Sequence, residues 1–257
     1  MDYEKVGSIF FNVIWGALRI CSALIVVVLG FCWAVVVVMS KPWEPVEKVM
    51  VNPLVCGRMS GIVYEVPRRY VIYWPEYEGK SSWEVGFTKN AKGCDANFVS
   101  LFLAMSWPEL TPVSFSDATS FNFSGVTVGV EPWGAGESGL RAVLRSYLRA
   151  TPESIVAQAV YDNEIGMSYV EGVHRAFSDR KQDFFWLEEG GGMKYIVYCV
   201  SAYHADQSYC DLRYLLPGAD VLVSIQFLRG RLSEWRNVVS KVDGFLSSSV
   251  KKDNLND

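Results

Sequence analysis

Residues 195–227 read YIVYCVSAYHADQSYCDLRYLLPGADVLVSIQF, and the fold turns on them. Tyr195 to Tyr203 is rich in β-branched and aromatic residues, the composition of a strand. Val221, Val223, Ile225 and Phe227 recur at a period of two, which buries one face of a second strand. Cys199 and Cys210 lie symmetrically about His204-Ala205. A hairpin turning there sets them directly opposite, at a Cβ separation a disulfide can use. The stretch reads as consecutive antiparallel strands.

On its N-terminal side, Phe184 to Leu187 is a further strand, joined through the turn Gly190-Gly191-Gly192. Val126 to Val130 is a short strand before the loop Pro132-Trp133-Gly134-Ala135-Gly136. Ile62 to Val66 and Tyr70 to Trp74 form a predicted hairpin about Pro67-Arg68-Arg69, and Trp83 to Thr88 is another strand. Helices are inserted among them. Phe98, Leu101, Phe102 and Met105 have helical spacing, which predicts a helix from Ala96 to Trp107 stopped by Pro108. Leu140, Val143, Leu144, Tyr147 and Leu148 form one helical stripe. Thr151 as N-cap and Pro152 at the first helical position open a second helix. No element is assigned across Gly166 to Gly172. On the C-terminal side a final helix carries Leu232, Trp235, Val238, Val239, Val242, Phe245 and Leu246 on one face. The fold class is α+β, a mainly antiparallel sheet covered by helices.

A different signal precedes this domain. Ile20 to Met39, ICSALIVVVLGFCWAVVVVM, has no charge. As a helix it would span about 30 Å, the thickness of the hydrocarbon core. Arg19 on one side, and Lys41 with Trp43 on the other, have the chemistry of membrane-interface residues. The run is longer than a signal peptide's apolar core, no small-residue cleavage site follows it, and Phe31 and Ile20 break the lipoprotein pattern before Cys32 and Cys21. The reading is a single transmembrane helix in contact with inner-membrane lipid. It divides the chain into an anchor (1–40), a stalk (41–55), a periplasmic α+β domain (56–250) and a flexible tail (251–257). Lysines and arginines on both sides leave the orientation undecided by charge.

Cysteines bear on the compartment. Cys56, Cys94, Cys199 and Cys210 lie outside the anchor, and four cysteines allow three pairings. The hairpin supplies a local mechanism for Cys199 with Cys210, which leaves Cys56 for Cys94; four buried free thiols are the alternative. Disulfides imply an oxidising compartment such as the periplasm.

Half the residues are apolar, which excludes disorder over most of the length, and the net charge of −4 gives no electrostatic footprint for nucleic acid. Two histidines, His174 and His204, are the few carriers available for metal or acid–base chemistry. Gly166-Met167-Ser168-Tyr169-Val170 lacks the last glycine of a nucleophile elbow. His174 is not followed by the spacing of a zinc protease, and Gly190 to Lys194 lacks that of a phosphate loop. Glu188 and Glu189 are adjacent on a strand and point to opposite faces. No catalytic residue, metal, cofactor or small-molecule substrate is expected, and the chain reads as a binding module.

Three elements carry a family resemblance. Cys56-Gly57-Arg58 is followed by an apolar strand and Pro67. Cys199 and Cys210 straddle a short strand turn. The strand Val221 to Phe227 leads into Leu232-Ser233-Glu234-Trp235. Together they resemble the periplasmic immunity proteins kept against type VI secretion toxins, especially those directed at lipase effectors. The opening spacing here is tighter than the family's, and Val66 stands where it has leucine. The resemblance implies a domain that binds a cognate antibacterial toxin, a lipase or phospholipase, and occludes its active-site cleft. The loop around Trp133, with Glu131 and Glu137, is the candidate insertion element, because tight interfaces rest on a few aromatic and charged anchors. The alternative is a structural or sensory module of a bacterial envelope complex.

Overall fold

The computed structural model of the chain describes residues 28–30, 33, 54–120, 122–174, 176–177, 180–200 and 208–251. Residues Val51–Asp257 make one compact unit, and Met1–Met50 form another. In the latter, only Val28–Gly30 and Trp33 are described, as exposed helix.

The larger unit is built on strands. In chain order they are β1 Leu54–Met59, β2 Ile62–Pro67, β3 Glu76–Tyr77, β4 Phe98–Met105, β5 Val126–Pro132, β6 Val160–Asp162, β7 Met167–Val173, β8 Lys181–Glu189, β9 Gly192–Val200, β10 Tyr209–Leu215 and β11 Val221–Leu228. Two longer helices accompany them, α1 Gly136–Leu148 and α2 Trp235–Ser248. β1 and β2 form a separate hairpin, and the other nine strands form one sheet in the order β3-β4-β5-β11-β10-β9-β8-β7-β6. Their pairings are antiparallel.

Side-chain alternation divides the core into two layers. Val221, Val223, Ile225 and Phe227 of β11 enter the larger cluster, which α2 closes with Trp235 and Val238. The β1–β2 hairpin adds Val55, Met59, Tyr64 and Val66 to that side. Leu222 enters the second cluster, with Met193 and Ile196, beneath Leu140 and Leu144 of α1. Both disulfides expected from the sequence are present, Cys56–Cys94 and Cys199–Cys210. Cys199 and Cys210 are register partners on β9 and β10. Cys56–Cys94 ties the hairpin to the segment leading into β4, beside the hydrogen bond from Arg58 N to the Ala96 carbonyl, 2.8 Å.

The expected fold class is corrected by this architecture. Sheet dominates, and the helix read from Thr151 is a single turn, Glu153–Val156, flanked by Pro152. The Thr151 hydroxyl instead accepts a hydrogen bond from Val173 N, 3.0 Å. Ala96 to Trp107 holds strand β4. Leu103, Ala104 and Met105 are all fully buried, and burial on both faces erases the alternation by which a strand is recognised. The expected transmembrane helix finds no support: most of Ile20–Met39 lies outside the described residues, and among the described residues no helix is long and apolar enough to cross a membrane. Arg19, Lys41 and Trp43 lie outside the described residues, as do His204 and the tip of its hairpin.

The first hairpin is also shifted. β2 pairs with β1 through Ser60-Gly61, both at positive φ (49° and 83°), and not with Tyr70–Trp74. A two-residue turn of this hand suits twisted strands. Trp83 and Val85 are each 94% exposed in irregular chain, where a strand was expected.

Gly57 explains the glycine of the Cys-Gly-Arg element. A Cβ there would come within 2.6 Å of the Phe98 ring, which is 1% exposed and stacked on Tyr77 at 4.9 Å. Gly57→Ala is therefore expected to destabilise the domain by about 1–3 kcal/mol through overpacking. Urea unfolding checks this, and an unchanged midpoint would mean the ring can move aside.

Candidate functional site

Helix α1 covers only part of its side of the sheet. Its apolar stripe lies over β9, β10 and the start of β11, where Met193, Ile196 and Leu222 are buried. Beyond the helix the same face is open. Strand register sets Phe102, Gly129, Ser224 and Arg213 in one row across β4, β5, β11 and β10. Ala104, Thr127, Gln226 and Asp211 make the next row. Thr127, Gly129, Ser224 and Gln226 are half-buried, with small or polar side chains, and floor a shallow trough.

Aromatic rings wall the trough. On the β4 side Phe102 is 44% exposed, and Tyr73 meets both Phe102 and Phe115 edge-on, at 6.0 and 5.9 Å. On the helix side Tyr147 packs edge-on against Tyr198 at 4.7 Å. One end opens into a cavity of about 450 Å³ lined by Thr119, Ser120, Phe123, Thr127, Tyr209 and Gln226.

The floor carries one ion pair. Arg213 Nε donates to Asp211 Oδ1 at 2.9 Å, and the guanidinium lies 5.5 Å from the Tyr147 ring centre. Burial pushes the Asp211 carboxyl above the usual range, although Arg213 and the Tyr198 hydroxyl pull it down. Burial opposes the Arg213 charge, but Asp211 and the two tyrosines outweigh it and raise its pKa. Burial, then Asp211, raises the Tyr198 phenol. Among the described residues the terminal amino groups of Arg213 make no hydrogen bond. Its side chain keeps 27% of its surface exposed, on the face of the sheet that carries the trough.

Neither a protein-family model nor a curated protein matches the chain. Among solved structures, Smlt3025, an immunity protein of the Stenotrophomonas maltophilia type IV secretion system, aligns with a TM-score of 0.52. The alignment covers 78% of this chain and 94% of that one, at 12% identity. The fold is that of a solved immunity protein. The iron-regulated outer membrane lipoprotein FrpD of Neisseria meningitidis aligns over the same shares at a TM-score of 0.41 and 10% identity, too low to carry an argument.

Of the residues predicted for partner contact, Trp133 and Glu137 lie beyond the trough, and Glu131 borders it, two residues along the same face of β5 from Gly129. Glu131 is exposed on β5 opposite Leu222. Trp133 packs on the second core and donates from Nε1 to the Gly136 carbonyl at 3.0 Å. Glu137 pairs with Lys194 beside a cleft of about 440 Å³ formed with Leu215–Asp220. Glu188 is bridged to Arg141 at 3.0 Å. His174 closes a turn, accepting at Nδ1 from Ala176 N and Phe177 N, 3.1 and 3.2 Å. Cys56, Glu65 and Cys94 come within 4.8 Å of one another, but both sulfurs are committed to a disulfide and offer no thiolate to a metal.

Sequence reading passed over Asp211 and Arg213. Their signal was opposite charges two residues apart inside an otherwise apolar strand, which places both on one face.

Proposed function

We propose that this protein is a toxin inhibitor: it binds a cognate antibacterial effector and blocks it by occlusion, without chemistry of its own. The single observation carrying the reading is the fold shared with an immunity protein over 94% of that chain. The exposed aromatic wall around Phe102 supports it, because large exposed apolar patches mark interaction surfaces. The Cys-Gly-Arg element and the closing strand and helix favour a type VI effector of the lipase or phospholipase class. The solved neighbour serves a type IV system, so the delivery route is the finer part of this proposal. Two disulfides support work in an oxidising compartment, the periplasm.

The test is capture and neutralisation. The full chain is co-expressed with the toxin encoded beside it, directed to the periplasm, and pulled down. The expected result is a stable complex and cells protected from the toxin. Failure to capture or protect overturns the reading.

A further inference from the structure

We propose that the open trough beside α1 is the toxin-docking surface, and that Arg213 anchors it by receiving a carboxylate of the toxin. The inference rests on the inhibitor reading and names the contact it would use.

Donor accounting comes first. A guanidinium carries five N–H donors in a fixed planar fork. Arg213 gives Nε to Asp211, and among the described residues its terminal amino groups have no acceptor. With Nε used, the end-on edge of the fork is the part left to a partner, the geometry that takes two carboxylate oxygens at once. Nothing needs to reorganise for that contact. Asp211 holds one edge of the guanidinium, and Tyr147 stands beside its face. A side chain already fixed loses little further entropy on binding.

The surroundings fit a protein segment better than a small molecule. The row from Phe102 to Arg213 crosses three inter-strand spacings, about 14 Å. It runs from an exposed aromatic wall to a half-buried arginine, the residue types that dominate binding hot spots. The floor between them is small and polar, so a partner chain can approach the backbone closely at Gly129. The cavity beside Thr127 and Tyr209 has room for more than one side chain of that segment. The paired acids and bases near Glu137 lie at another end, where Lys194 and Arg141 are already neutralised by Glu137 and Glu188.

The experiment is calorimetric titration of the adjacent-gene toxin with the full chain and its variants. Wild type is expected to bind. Arg213→Lys keeps the charge and loses the fork, and should weaken binding about tenfold. Arg213→Gln should weaken it on the order of a hundredfold. Because Arg213→Gln strands Asp211, the double variant Asp211→Asn with Arg213→Gln removes the pair together, and its melting temperature checks the fold. Phe102→Ser, at an exposed ring, should also weaken binding without loss of folding. Glu137→Gln should bind as wild type. If wild type binds and the Arg213 and Phe102 variants bind equally well, the trough is not the contact, while the inhibitor reading stands. If binding falls only in the Glu137 variant, the contact lies at that other end and this assignment is wrong. If wild type does not bind, the inhibitor reading fails and this inference with it.

Discussion

Trp235→Ala is expected to destabilise the domain by about 4 kcal/mol, the cost of emptying a large aromatic site in a packed core. Trp235 is 2% exposed at the start of α2, and its ring lies 4.8 Å from that of Tyr195. Its Nε1 donates to the Ile165 carbonyl at 2.9 Å, fixing the loop before β7 against the helix. Arg236 Nη1 donates to the same carbonyl at 3.1 Å, so the substitution does not leave that oxygen orphaned. The loss is therefore mainly volume and dispersion. Trp235→Phe keeps much of the volume and should cost about 1–2 kcal/mol. In a domain of this size the alanine variant should lower the melting temperature by about 10 °C, read by circular dichroism. If phenylalanine and alanine are equally damaging, the hydrogen bond and not the packing holds this corner.

Removing the disulfides should give the next largest losses, and in a set order. Cys56–Cys94 closes a sequence separation of 38, and Cys199–Cys210 one of 11. Constraint on the unfolded chain grows with loop length, which gives about 4 kcal/mol for the first and about 3 for the second. Paired alanine substitutions, unfolded in urea, test the ranking. Two effects could reverse it. Cys199 and Cys210 are fully buried, so their removal also opens space in the core. The hairpin keeps Arg58 N on the Ala96 carbonyl, and Tyr77 Oη on the Cys56 carbonyl at 2.7 Å, without the bridge. A larger loss from the buried pair would show that packing outweighs chain entropy here.

Sequence patterns were readable wherever an element has one buried face. α2 buries a single stripe, and beyond Leu222 strand β11 alternates buried with half-buried residues, so their periods of 3.6 and two are visible as written. The Cys199–Cys210 pair followed from the symmetry of a hairpin. β4 was hidden because Leu103 and Ala104 are both buried, on opposite faces. β7 was hidden by Gly172, which looks like a breaker. It is a packing residue instead: a Cβ there would meet the Thr151 hydroxyl at 2.4 Å and the Phe184 ring at 2.8 Å. The trough could not be read at all. Phe102, Gly129, Ser224 and Arg213 come from four strands, and only their pairing order makes them neighbours. Trp133 stood out as an isolated aromatic in a loop, a signal that does not distinguish a ring packed on the core from one offered to a partner.

The strand order also has a temporal meaning. From β6 to β11 every strand neighbours the one made just before it, and so do β3, β4 and β5. The two blocks meet only where β5 joins β11. On the ribosome, Val126–Pro132 therefore emerges with one edge unpaired and waits until Val221–Leu228 has been made. Local pairings form early and distant ones late, so the β6–β11 meander should assemble first and capture the earlier block last. The trough straddles that seam, with Gly129 on one side and Ser224 on the other. A binding surface built there exists only once Val221–Leu228 has been made, so a chain that has not reached that strand cannot engage a partner through it.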